Sequence, residues 1–121
     1  MLPTLPSRGD IVLAEFPFTD VAESKLRPVL ILAPVPGPYP DFLVMFITSE
    51  SSQAQANLDL VLSSEDPAFS ESGLRVTSVF KTLKLATLTA SLFRGRLGTL
   101  RAELHETLVD RMAQHLKGTS H

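Results

Sequence analysis

The chain has 121 residues, 44% of them hydrophobic, with 11 Lys and Arg, 13 Asp and Glu, and no cysteine. That length holds one domain with a real core and is too short for two. The missing cysteine excludes a disulfide framework, a thiolate metal site and a cysteine nucleophile, and it fits a reducing, cytoplasmic setting.

The first eight residues, 1–8, read as a Pro-rich arm. They lack the basic region and apolar stretch of a secretory signal. Gly9 to Phe16 alternates as a strand, with Ile11, Leu13 and Phe16 inward and Asp10 and Glu15 outward. Pro17 ends it, and the polar loop Thr19 to Lys25 is a candidate flap. Arg27 precedes Pro28, whose ring disfavours helix for the residue before it, so Arg27 enters the next strand extended. Val29 to Ala33 is a continuous apolar run, the pattern of a strand buried on both faces.

Pro34 to Pro40 predicts a stiff turn that cannot join a sheet centrally, and its prolines interrupt the best candidate for a membrane span. Phe42 to Thr48 reads as the third strand, Leu58 to Leu62 as a short fourth, Ser63 to Gly73 as a polar loop and Val76 to Leu83 as the fifth strand. Leu85 to Leu88 and Ser91 to Gly98 are ambiguous between strand and short helix. Thr99 is a plausible N-cap for the clearest helix, whose apolar stripe is Leu104, Leu108, Met112 and Leu116, with Val109 and Ala113 beside it. Strands followed by one helix predict a mainly β fold with α: a small, strongly curved antiparallel sheet or partial barrel with a C-terminal helix. Residues 9–117 form the domain, and 118–121 are expected to be a disordered tail.

Charge is unevenly spread. Met1 to Glu71 holds ten carboxylates and three bases, whereas Ser72 to Ala102 holds six bases (Arg75, Lys81, Lys84, Arg94, Arg96, Arg101) and no carboxylate. A local positive field can serve a polyanion even on a mildly acidic protein. The plain alternative is that one half neutralises the other in the fold.

Two constellations bear on chemistry. If the second and third strands pair, Arg27 and Thr48 meet at one end of the sheet, with Ser49 beside them. A guanidinium has a planar fork of donors suited to phosphate oxygens, and a hydroxyl adds a neutral hydrogen bond. Spacing alone favours the plainer alternative, a surface arginine and a turn. The second constellation is Arg75, Lys81 and Lys84, bases that can follow a nucleic-acid backbone or merely solvate a sheet face. The histidines lack metal-like spacing, and no Gly-rich phosphate loop or nucleophile elbow is present.

The order GDIVLAEFPFTD…KLRPVLIL, FITS, SGL and SVFK…KLATL…LFRGRLGTL resembles the PemK/MazF family of type II toxin–antitoxin toxins, from about Arg8 to the terminal helix. The resemblance implies a small SH3-like β-barrel with a C-terminal helix, a homodimer, and no metal or other cofactor. It implies a sequence-selective endoribonuclease that cuts single-stranded RNA, chiefly mRNA, by attack of the 2′-hydroxyl and so inhibits growth. It also implies a cognate antitoxin with an acidic disordered segment, and operator DNA bound only as the toxin–antitoxin complex. Arg27 matches the family's catalytic arginine and Thr48 its catalytic threonine. Phe18, Lys25, Ser49, Arg75, Lys81 and Lys84 are the expected RNA-binding residues. Phe18 to Lys25 matches the segment that closes over RNA.

There is one departure. Where several members carry an arginine and, two residues on, an acid, this chain has Lys81 and Leu83. The base type survives and the carboxylate does not. The alternative function is therefore a binding module on the same fold: a non-nuclease toxin acting on a topoisomerase, or a DNA-binding corepressor with its antitoxin. An inert structural domain is the blandest alternative. The homodimer has an independent rationale in apolar surface around Phe42 to Ile47 left open by so small a sheet.

Overall fold

A computed structural model describes residues 2–16 and 25–119. The candidate flap, apart from Lys25, lies outside the described residues, as does Phe18. Six strands form one antiparallel sheet: β1 (Asp10–Phe16), β2 (Lys25–Val35), β3 (Asp41–Thr48), β4 (Leu60–Leu62), β5 (Ser78–Thr89) and β6 (Phe93–Thr99), in the order β4-β5-β3-β2-β1-β6. Two helices, α1 (Phe69–Ser72) and α2 (Ala102–Lys117), complete the described elements with two single 3-10 turns. The mainly β fold with a terminal helix is as the sequence predicts. The sheet does not close, because β4 and β6 pair on one side only, so the expected barrel is an open sheet.

Several boundaries differ from expectation. Strand β2 runs through Pro34, which pairs with Phe42 just beyond a bulge, where ladder hydrogen bonds are already interrupted. The two ambiguous segments become the second half of β5 and a 3-10 turn leading into β6. The loop 63–73 contains α1, closed by Gly73 in the left-handed conformation at φ 71°. Thr99 is not the N-cap, because it ends β6 opposite Asp10; α2 is preceded by Arg101 and has no side-chain cap. Asp10 does not face water: it is buried, accepts the Ser7 N–H at 2.8 Å and pairs with Arg96 at 3.3 Å.

The arm is bound to the domain, with Pro6 buried, the Arg8 Nε donating to the Leu32 carbonyl at 3.2 Å, and Leu2 packed on the core. At the other end, Gly118 caps α2 and the Thr119 N–H donates to the Gln114 carbonyl at 2.9 Å, so these two residues are no frayed tail.

Alternation along the strands buries two faces. Ile11, Leu30, Met45, Ile47 and Phe80 form one core with Leu108 of α2. Val12, Ala14, Phe16, Val29, Ile31, Val44 and Phe93 form the other. Covering both faces explains why β2 and β3 lack a polar phase. It also removes the expected apolar surface: Phe42, Val44, Met45 and Ile47 are buried. On α2 the stripe is only half used, with Leu108 buried but Val109 42% and Leu116 72% exposed.

The segments SGL and GRLG are packing devices. A Cβ on Gly73 would lie 2.0 Å from the Leu97 carbonyl oxygen, and one on Gly98 would lie 2.2 Å from that of Glu71. Backbone meets backbone there, and α1 is pressed against β6. Gly98→Ala is expected to cost about 1–3 kcal/mol or more, the range for forced overpacking, and Gly73→Ala more because of its positive φ. Chemical denaturation checks this; an unchanged midpoint in either variant contradicts the close approach.

Candidate nucleic-acid interface

The site is set by strand register. Strands β2 and β3 pair as Ile31 with Val44, Leu30 with Met45 and Val29 with Phe46. Carried two residues further, the same register puts Arg27 opposite Thr48. The ladder stops before them, at Pro28, which has no N–H to donate. On its other side Arg27 pairs with Ala14 of β1, and Thr48 pairs with Val79 of β5. Alternation puts both on the face of the second core, at its rim.

Two clefts share the wall made by Arg27, Pro28, Ile47 and Thr48. The first, of about 350 Å³, is floored by Phe16 and Phe46 and rimmed by Gln53, Lys81 and Lys84. The two phenyl rings meet edge to face, with centroids 5.1 Å apart at 72°. The second cleft, of about 520 Å³, adds Ser49, Glu50 and Arg75. The wall residues are accessible: Arg27 is exposed and Thr48 half-buried. Thr48 Oγ1 accepts the Glu50 N–H at 3.1 Å. That bond uses a lone pair and leaves the hydroxyl proton free to donate.

A bulge shapes the first cleft. Met45 pairs with Leu85 while Ile47 pairs with Phe80, so residues 81–84 of β5 face the single Phe46. Bulges redirect side chains, and this one has two consequences. Lys84 is left exposed at the cleft. Lys81 is turned onto Asp59: its Nζ lies 2.7 Å from Asp59 Oδ2 and donates to the Gln53 carbonyl at 2.7 Å.

Asp59 is the residue the sequence did not reveal. It is 7% exposed and accepts from Lys81, from the Gln55 N–H at 2.9 Å and from the Thr82 N–H at 3.0 Å. Burial raises its pKa, but the Lys81 hydrogen bond, the two backbone donors and the Lys81 charge together outweigh burial and hold it below the ordinary value. Its carboxylate therefore clamps the segment before β4 onto β5. Spacing gives no hint that residues 59 and 81 meet.

The basic segment divides in two. Lys81, Arg94, Arg96 and Arg101 pair with Asp59, Glu15, Asp10 and Glu71, so here one half does neutralise the other. Arg27, Arg75 and Lys84 have no ion pair among the described residues, and all three line the clefts. Lys25 is exposed at the start of β2 and lines neither. Among the described residues no group of three or more acidic or histidine side chains gathers as a metal site. No helix among them is long and apolar enough to cross a membrane.

A separate, largely apolar cavity of about 630 Å³ lies under α2, lined by Arg8, Leu32, Leu43, His105 and Met112 among others. His105 Nδ1 is buried there without a hydrogen-bond partner among the described residues, and burial, followed by the Arg8 charge, lowers its pKa.

The fold is that of solved toxin structures. A MazE-MazF crystal structure (Form-II) from Deinococcus radiodurans is 20% identical, covers 97% of this chain and 99% of that chain, and has a TM-score of 0.69. The Mycobacterium tuberculosis toxin MazF-mt6 is 19% identical over 89% of this chain and 96% of its own, with a TM-score of 0.64. An endoribonuclease in complex with its cognate antitoxin, from Mycobacterial species, is 15% identical over 93% and 95%, also at 0.64. No curated protein matches by sequence. The family model for the PemK-like, MazF-like toxin of type II toxin-antitoxin systems matches residues 7–116, and the chain belongs to that family.

Asp59→Asn strands a nearly buried ammonium and is expected to cost about 3 kcal/mol. Because the folded pKa of Asp59 is depressed, its contribution is complete above the unfolded value of about 4 and is lost as pH falls through the folded value. Melting temperatures from neutral pH down into acid should therefore fall more steeply for wild type than for the variant. Parallel curves contradict the clamp.

Proposed function

We propose that this chain is the toxin of a type II pair and cuts single-stranded RNA, chiefly mRNA, as a metal-independent endoribonuclease. The observation that carries this is the wall shared by the two clefts, where Arg27 and Thr48 stand together. A phosphodiester crossing that wall meets a guanidinium that stabilises charge developing on phosphorus oxygens and a hydroxyl free to donate to a non-bridging oxygen. The flanking nucleotides fall into the clefts, beside Lys84 in one and Ser49 and Arg75 in the other. Phe46 and Phe16 offer an aromatic floor to a base. Attack by the 2′-oxygen forms a bond to phosphorus, breaks the bond to the 5′-oxygen and leaves a cyclic phosphate and a 5′-hydroxyl.

The partner is an antitoxin whose acidic segment neutralises the same three unpaired cations, and the pair together holds operator DNA. For a homodimer, α2 offers exposed apolar side chains at Val109 and Leu116, one of several such places, whereas Phe42, Val44, Met45 and Ile47 are buried.

The second reading is a binding module that holds its target uncut. Leu83 and the clamped Lys81 favour it, since position 83 holds no acid and the base at position 81 is tied to Asp59. A cleavage assay separates the two. Purified protein, free of antitoxin and with a chelator present, is expected to convert a mixed-sequence RNA to discrete fragments ending in cyclic phosphate. Arg27→Ala is expected to lower the rate about 100–1,000-fold with an unchanged melting temperature. RNA left intact by excess protein refutes the nuclease, and growth arrest retained by Arg27→Ala in cells supports the binding module.

A further inference from the structure

Attack by a 2′-hydroxyl needs a group to take its proton. Arg27 cannot serve well, because a guanidinium stays protonated. Asp59 already accepts three hydrogen bonds and is buried, and Lys81 is tied to it. Position 83, where the resemblance gives several members an acid, is a leucine. Glu50 is different. It is the single carboxylate among the described residues lining the two clefts, and it shares the second with Arg27, Thr48 and Arg75. It is exposed and has no ion pair among the described residues. Its backbone N–H is held by Thr48 Oγ1 at 3.1 Å, which ties its position to the phosphate-binding hydroxyl.

We infer that Glu50 is the general base of the cleavage reaction, which rests on the endoribonuclease function proposed above. The topology of the two clefts supports it. In-line displacement places the attacking and leaving oxygens on opposite sides of phosphorus. The Arg27–Thr48 wall has Glu50 on one side and Lys84 on the other. Glu50 removes the 2′-hydroxyl proton, and the 2′-oxygen bonds to phosphorus while the bond to the 5′-oxygen breaks. The leaving oxygen enters the first cleft, where the Lys84 charge favours it and it takes a proton from water. Glu50 then returns its proton to solvent.

The test measures single-turnover cleavage against pH for wild type, Glu50→Gln, Glu50→Asp and Arg27→Ala, with binding of an uncleavable 2′-deoxy analogue of the same strand. Wild type is expected to gain rate with rising pH and then to level off. Glu50→Gln should lose that acidic limb and about 100-fold or more in rate. It should bind the analogue at least as well, having lost a negative charge near the phosphates. Glu50→Asp should keep the limb at reduced rate. Cleavage by Glu50→Gln at the wild-type rate and pH profile overturns the assignment while leaving the nuclease intact. A parallel loss of rate and analogue binding, with the acidic limb kept, reduces Glu50 to a binding group and also overturns it. Failure of wild type to cut overturns both proposals.

Discussion

The register of one hairpin determines the rest. Once Val29 stands opposite Phe46, Arg27 and Thr48 must arrive together at the rim of the sheet. Pro28 then ends the ladder where its hydrogen bonds would otherwise occupy the backbone. A slip of one residue would exchange the two faces, turning Val29 and Ile31 toward the first core, Leu30 and Leu32 toward the second, and Arg27 away from Thr48. Burial on both faces penalises that slip twice, so the stability of the two cores and the geometry of the site are the same constraint. The bulge in β5 adds a second level of control. It redirects Lys81 into a structural clamp and leaves Lys84 for the cleft.

The charge pattern has a corresponding division of labour. Four bases of the carboxylate-free segment are taken up by acids from the first half of the chain, and these pairs brace the arm, α1, β6 and the segment before β4. The cations that remain unpaired among the described residues and line the clefts are Arg27, Arg75 and Lys84. A net charge of −2 therefore coexists with a short positive track about the shared wall. A track this short suits a few consecutive phosphates of one strand better than the broad face of a duplex.

Much of this was legible in the sequence. The alternation in 9–16, the apolar runs 29–33 and 42–48 and the periodic helix stripe each follow from local pattern. The placement of Arg27 follows from Pro28. What local pattern could not show was contact between distant residues. Nothing near Asp59 or Lys81 reveals that they pair, and nothing near Gly98 reveals the backbone of α1 pressed against it. The sequence left a curved sheet and a partial barrel both open, because closure depends on whether β4 and β6 reach each other, a matter of overall curvature. The apolar surface expected at 42–47 was misjudged because a second core covers it. Thr99 looked like a cap because its hydroxyl precedes a helical stripe, yet β6 pairing with Asp10 keeps it extended.

The central claim is that a single-stranded phosphodiester sits on the Arg27–Thr48 wall. Nuclear magnetic resonance of the labelled protein, titrated with a short uncleavable 2′-deoxy-substituted RNA, tests it most directly. The account predicts the largest shifts at the Arg27 side-chain Nε–H and the backbone amides of Thr48, Ser49 and Glu50, with smaller ones at Lys84 and Arg75. Shifts confined to α2 or the β4 edge, with Arg27 and Thr48 unmoved at saturation, would contradict it.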